Sequence, residues 1–151
     1  MATQGTFTRN LAISLSADQW VIAYTCIPNT PHLKAVPIPI IKGSSKQRYP
    51  DIVAIRGNNL LLVEVELTLT DNIAQDIMTR FLEMRTALGN TDIWKSWRQH
   101  VNDTCGVSIP QVVVLKCVLY ICSSLSEKHR YNLELLKNMS IDVDVYDKKG
   151  F

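Results

Sequence analysis

A single α/β domain, built on a mixed sheet flanked by helices, is predicted by three features of this 151-residue chain. Residues 51–56 and 60–67 read as two apolar strands joined by a Gly-Asn-Asn turn, which makes an antiparallel hairpin. Residues 111–122 form a long, β-branched apolar run of the kind found in a buried parallel strand. Helical patterns lie between and after these strands, and alternation of the two types defines the class. The length suits one domain with a real core, taken here as residues 1–151.

Taken in order, Met1 to Gly5 are small and polar and read as a frayed end. Leu11, Ile13 and Leu15 alternate with small or polar residues, a hint of extended chain. Ser16-Ala17-Asp18-Gln19 has the form of a capping box and predicts a helix to about Thr25, with Pro28 beyond it. One helix from Thr8 onward is the alternative. Ala35–Ile41 is apolar and extended, and Pro37 and Pro39 confine it to a sheet edge. After the hairpin, Ile73, Ile77, Phe81, Met84 and Leu88 give the clearest helix, about residues 72–88, closed by Gly89-Asn90. A shorter helix follows over residues 91–102, carrying Trp94 and Trp97. Beyond the 111–122 strand, Ser126 opens a helix through about Lys137, and residues 140–146 form a last strand. On that strand Asp142 and Asp144 share a solvent face.

Composition narrows the classes. The chain is 46% hydrophobic and 20% charged, and its net charge is +2. So weak a field does not coat nucleic acid non-specifically, and such a partner needs a local basic patch. The four cysteines lack zinc spacing and read as free thiols in a reducing cytoplasm. The N-terminus has no charged segment followed by an apolar one, so no secretory signal is read. No run approaches the roughly 18 apolar residues of a membrane span.

Three carboxylates carry the chemistry. Asp51, Glu64 and Glu66 lie in strands rich in Val, Ile and Leu. Charge in such surroundings is costly unless paired or bound to a cation. Alternation puts Glu64 and Glu66 on one face, and the hairpin brings Asp51 opposite residues 64 to 66. Hard oxygen donors without His or Cys suit Mg²⁺ or Mn²⁺. A solvated hairpin face is the simpler alternative. Just upstream, Lys42, Ser44, Ser45, Lys46 and Arg48 form a basic, hydroxyl-rich loop suited to a phosphate backbone, with a plain solvated loop as the alternative. Arg80 and Arg85 read as surface charges. Trp94 and Trp97, interleaved with Lys95 and Arg98, read first as packing and second as a base-stacking platform.

Pro50-Asp51 followed by Glu64-Val65-Glu66, with a Gly-Ser-Ser loop before and Leu-Leu-Val-Glu-Val within, resembles the PD-(D/E)xK nuclease superfamily. It looks most like the archaeal Holliday-junction resolvases of that group. The element order is similar to the family's α-β-β-β-α-β core, with one inserted helix. The resemblance implies a restriction-endonuclease-like fold and metal-dependent cleavage of DNA, on branched or structured substrates, by a homodimer. It implies that Asp51, Glu64 and the Val65 carbonyl hold the metal, that Glu66 orients water or a second ion, and that Gln75 lies near the site. The family's usual lysine is Glu66 here, and the tyrosine that often follows Gln75 by one turn is Thr79. The glutamate often given by the first helix has only Asp18 or Gln19 as a stand-in. The lysine's replacement keeps open a nuclease-like module that binds or assembles on DNA without cutting it. A third reading is an interaction protein built around the tryptophan helix.

Overall fold

Thr3 starts the chain's first helix: its extended backbone breaks the helical run and its hydroxyl accepts the Thr6 N–H at 3.1 Å. The computed structural model describes residues 3–27, 34–40, 46–122, 125 and 127–145. Helix α1 is Gln4–Ala17. Phe7, Leu11 and Leu15, four apart, are buried together with Trp20. This corrects the expected start at Ser16, where the helix instead ends. Leu11 and Leu15 fit a period of two or of four, and Ile13 decides between them: it is 68% exposed. Gln19 then takes φ 70°, turning the chain into strand β1, Val21–Thr25.

β1 is the strand missing from the expected order. It pairs antiparallel with β4 (Ile52–Arg56), which pairs antiparallel with β5 (Asn59–Glu66). β6 (Val114–Ile121) lies parallel to β5, and β7 (Ile141–Val145) parallel to β6. The five-stranded mixed sheet runs β1-β4-β5-β6-β7. The segment expected as an edge strand stands apart: β2 (Ile38–Pro39) pairs only with β3 (Gln47–Arg48) in a two-stranded ribbon. The Val36 carbonyl pins this arm to the body, accepting Tyr24 Oη at 3.0 Å and Trp97 Nε1 at 3.2 Å.

Helices α2 (Asp71–Leu88) and α3 (Thr91–Cys105) connect β5 to β6, and α4 (Arg130–Asn138) connects β6 to β7. Ser126, the expected cap, lies outside the described residues. Ile77, Phe81 and Met84 of α2, Trp97 and Val101 of α3 and Leu136 of α4 pack on one sheet face against Val53, Leu60, Leu62 and Leu119. α1 covers the other face over Ile52, Ala54, Leu61, Val63 and Val118. Covered on both sides, β5 is almost wholly buried, which accounts for its continuous apolar reading. On β7, Asp142 and Asp144 are exposed as expected for a solvent face. No helix of the described residues is long and apolar enough to cross a membrane.

Candidate active site

The site grows from the hairpin register. Ile52 pairs with Val63, so Asp51 stands opposite Glu64. Asp51 is clamped through its backbone: its carbonyl accepts the Cys26 N–H and its N–H donates to the Val63 carbonyl, both at 2.8 Å. Its Oδ2 accepts the Val65 N–H at 2.7 Å, one rung past the end of β4. Side chains on β5 alternate, and Glu64 lies with Leu60 and Leu62 on the face covered by α2. It is 2% exposed.

Helix α2 supplies the counter-charge. Arg80 Nη1 donates to Glu64 Oε1 at 3.3 Å. Arg80 Nε lies 3.2 Å from Asp76 Oδ2, one turn back, without the alignment of a hydrogen bond. Glu64 Oε2 is shut from solvent and meets no aligned partner, while the Glu64 carboxyl as a whole lies within hydrogen-bond reach of the Asp51 carboxyl. Burial raises the Asp51 carboxyl above its ordinary range, while hydrogen bonds from Glu64 and Val65 and the charge of Arg80 restrain the rise. Glu64 stands well above its ordinary range, through burial first and then the charge of Asp51. Glu66 is half-buried and also raised, by burial first and then by Asp51 and Asp76 against Arg80. Burial works to lower Arg80, but Glu64, Asp76 and Asp51 outweigh it and secure the guanidinium's charge.

Two residues that border the site were not legible as such. Gln4, in the stretch read as a frayed end, donates its side-chain amide to the Val65 carbonyl. It is Gln4 that α1 brings here. Asp18 instead pairs with Arg56 at 3.1 Å, at the opposite end of β4 and about 17 Å along the strand from Asp51. Arg80 was read as a surface charge, yet it lies three residues after Ile77 and four before Met84. That spacing places it on the border of the buried stripe, and was the one signal available.

The other expected residues fall in five groups. Lys42, Ser44 and Ser45 lie outside the described residues. Lys46 and Arg48 are held by Glu83 of α2, with Lys46 Nζ 2.8 Å from Oε2 and Arg48 Nη2 3.0 Å from Oε1. Gln75 is on the exposed side of α2, whereas in the row Asp76, Arg80 and Glu83, Arg80 meets Glu64 of the central strand and Glu83 meets the β3 arm. Trp97 is buried and Trp94 Nε1 donates to the Gln111 carbonyl at 2.9 Å, so this pair packs the core. Arg85 donates to the Met139 and Ser140 carbonyls and fastens the end of α4.

Among the described residues, no group of three or more His, Cys, Asp or Glu side chains is arranged to hold a metal ion. Two carboxylates do face each other, and Mg²⁺ is commonly held by one or two with water completing its shell. The orphaned Glu64 oxygen, buried and oxygen-hard, fits such an ion. Compared with family models, curated proteins and solved structures, the chain matches none.

Proposed function

We propose that the chain is a Mg²⁺- or Mn²⁺-dependent endodeoxyribonuclease of restriction-endonuclease-like type, acting in the cytoplasm as a homodimer on branched or structured DNA. One observation carries the reading: buried Glu64 faces half-buried Asp51, and its Oε2, shut from solvent, has no aligned partner. Purely structural carboxylates are seldom left so, because an unsatisfied buried oxygen costs about 1–3 kcal/mol. Asp51 and Glu64 would hold the ion, and the Val65 carbonyl, which accepts from Gln4, would add a further oxygen. The ion would supply Lewis-acid polarisation of the phosphoryl group. Glu66, half-buried at the open end of β5, would orient the attacking water. The water's oxygen would bond to phosphorus as its proton passes to the Glu66 carboxylate, and the bond to the leaving sugar oxygen would break, that oxygen taking a proton from solvent water. Lys46 and Arg48 would exchange Glu83 for backbone phosphate.

Cleavage of plasmid and branched DNA in Mg²⁺ or Mn²⁺ tests this. Wild type is expected to cut and Asp51→Ala to be inert; an inactive wild type, or an equally active variant, removes the proposal. A second reading, a non-cutting DNA-binding or assembly module, is favoured by Glu66 at the lysine's place and by Glu83 already holding Lys46 and Arg48. DNA binding in EDTA that Glu64→Gln leaves unchanged supports it.

A further inference from the structure

The site needs a positive charge for a phosphate, and the basic residues expected to supply it are committed elsewhere. β5 offers Glu66 where a cation is expected, and Lys46 and Arg48 are engaged by Glu83. Among the described residues, Arg80 is the one cation paired with Glu64. Its side chain is one-third exposed, so it spans from the buried carboxylate to the surface. A guanidinium carries five N–H donors. Arg80 makes one aligned hydrogen bond, to Glu64, and its Nε is enclosed without an aligned acceptor. Asp76 stands beside that Nε and holds the side chain over the hairpin.

Two enclosed atoms of opposite character therefore lie on the same ion pair without aligned partners, Glu64 Oε2 and Arg80 Nε. A divalent cation satisfies the first, and an anionic oxygen ligand satisfies the guanidinium. A cation bound to a phosphate diester brings both together. We propose that Arg80 holds the phosphate next to the Asp51–Glu64 pair, with Lys46 and Arg48 serving the backbone beyond it: paired with Glu64 in the free protein, Arg80 turns its unused N–H donors to a backbone phosphate once a divalent ion balances Asp51 and Glu64. This rests on reading Asp51 and Glu64 as a cation-binding pair. A planar fork matched to two phosphate oxygens makes arginine the apt residue type. A role as mere counter-ion to Glu64 predicts something different: lost stability and unchanged affinity for phosphate.

The test uses the full chain, with Mn²⁺ binding followed by calorimetry and binding of a short DNA duplex followed in Ca²⁺, the duplex being checked afterwards as uncut. Arg80→Gln is expected to bind Mn²⁺ as tightly as wild type or tighter, because a competing cation is gone. Its duplex affinity should fall at least about tenfold, the worth of one charged hydrogen bond. The plot of log affinity against log salt should become shallower by about 0.9, the slope that one neutralised phosphate contributes. Arg80→Lys, which keeps the charge and loses the fork, should fall between the two and covers the case in which Arg80→Gln does not fold. Unchanged duplex affinity and salt slope in a folded Arg80 variant that still binds Mn²⁺ overturns the role of Arg80 alone. Absence of Mn²⁺ binding by wild type overturns it together with the cation-site reading.

Discussion

Glu64 shows how a single buried carboxyl ties stability to pH. Its carboxyl stands well above the ordinary value of 4.5, burial being the main cause. Above that value the unfolded chain gives up its proton while the folded chain keeps it. The stabilisation is thus complete below 4.5 and is lost as pH rises through the folded value. Glu64→Gln keeps the shape, accepts from Arg80 and has no proton to lose. Melting temperature measured from pH 5 to 8 should fall less steeply in the variant, with a residual slope from Asp51; parallel curves would show that Glu64 does not govern it. Arg80→Ala works in the opposite direction, leaving Glu64 without its counter-charge. Loss of one member of a buried pair costs about 3–5 kcal/mol, and the partial exposure of Arg80 discounts this to about 1–3 kcal/mol. Urea unfolding should show the larger loss at pH 8 and the smaller at pH 5. Asp51 and Glu64 were legible because charge inside an apolar strand is conspicuous. Arg80 was not, since an arginine on the margin of a helical stripe looks the same whether it points to water or to a carboxylate.

At the scale of elements, the β4–β5 hairpin sets the Asp51–Glu64 register, and its turn is the point of control. Gly57 takes φ 62°, with nothing within 4 Å of where a Cβ would stand. Substitution there meets no clash, so the cost is that of left-handed backbone alone, about 1–2 kcal/mol. Gly57→Ala should lower urea stability by that amount and Gly57→Asn by less, because asparagine tolerates this conformation. Equal, negligible effects of both would mean that the turn does not hold the register. The hairpin and α2 could be read from sequence because Gly-Asn turn chemistry and a four-turn apolar stripe each exclude other conformations. β1 could not. Ser16-Ala17-Asp18-Gln19 satisfies a capping pattern by residue type, but Phe7, Leu11 and Leu15 had already placed the helix upstream, and Val21–Thr25 gains more from pairing with β4. The proline arm over residues 35–40 has strand character but lacks enough free N–H groups to join the main sheet, and it settles for a two-rung ribbon.

The whole molecule meets at this site. α1 reaches it through Gln4 on Val65, the hairpin through Asp51 and Glu64, and α2 through Arg80 and Asp76. The mixed, doubly covered sheet was legible because alternating strand and helix patterns admit few layer arrangements. The convergence of three elements was not, because it depends on a first helix whose start looked like a loose tail. Convergence makes a global prediction. A cation held only by the folded chain stabilises it by about 2.7 kcal/mol at a hundredfold excess over its dissociation constant. At about 2–4 °C per kcal/mol for a domain of this size, the melting temperature should rise by about 5–10 °C. Saturating Mn²⁺ should produce this rise in wild type, and Asp51→Asn and Glu64→Gln should abolish it. Amide exchange should slow at the start of α1, across β4–β5 and in α2 together, because those elements share the site. A rise of the same size in Asp51→Asn would place the ion elsewhere on the protein, and no rise in wild type would leave a shared proton and the Arg80 guanidinium as the pair's only neutralising partners among the described residues.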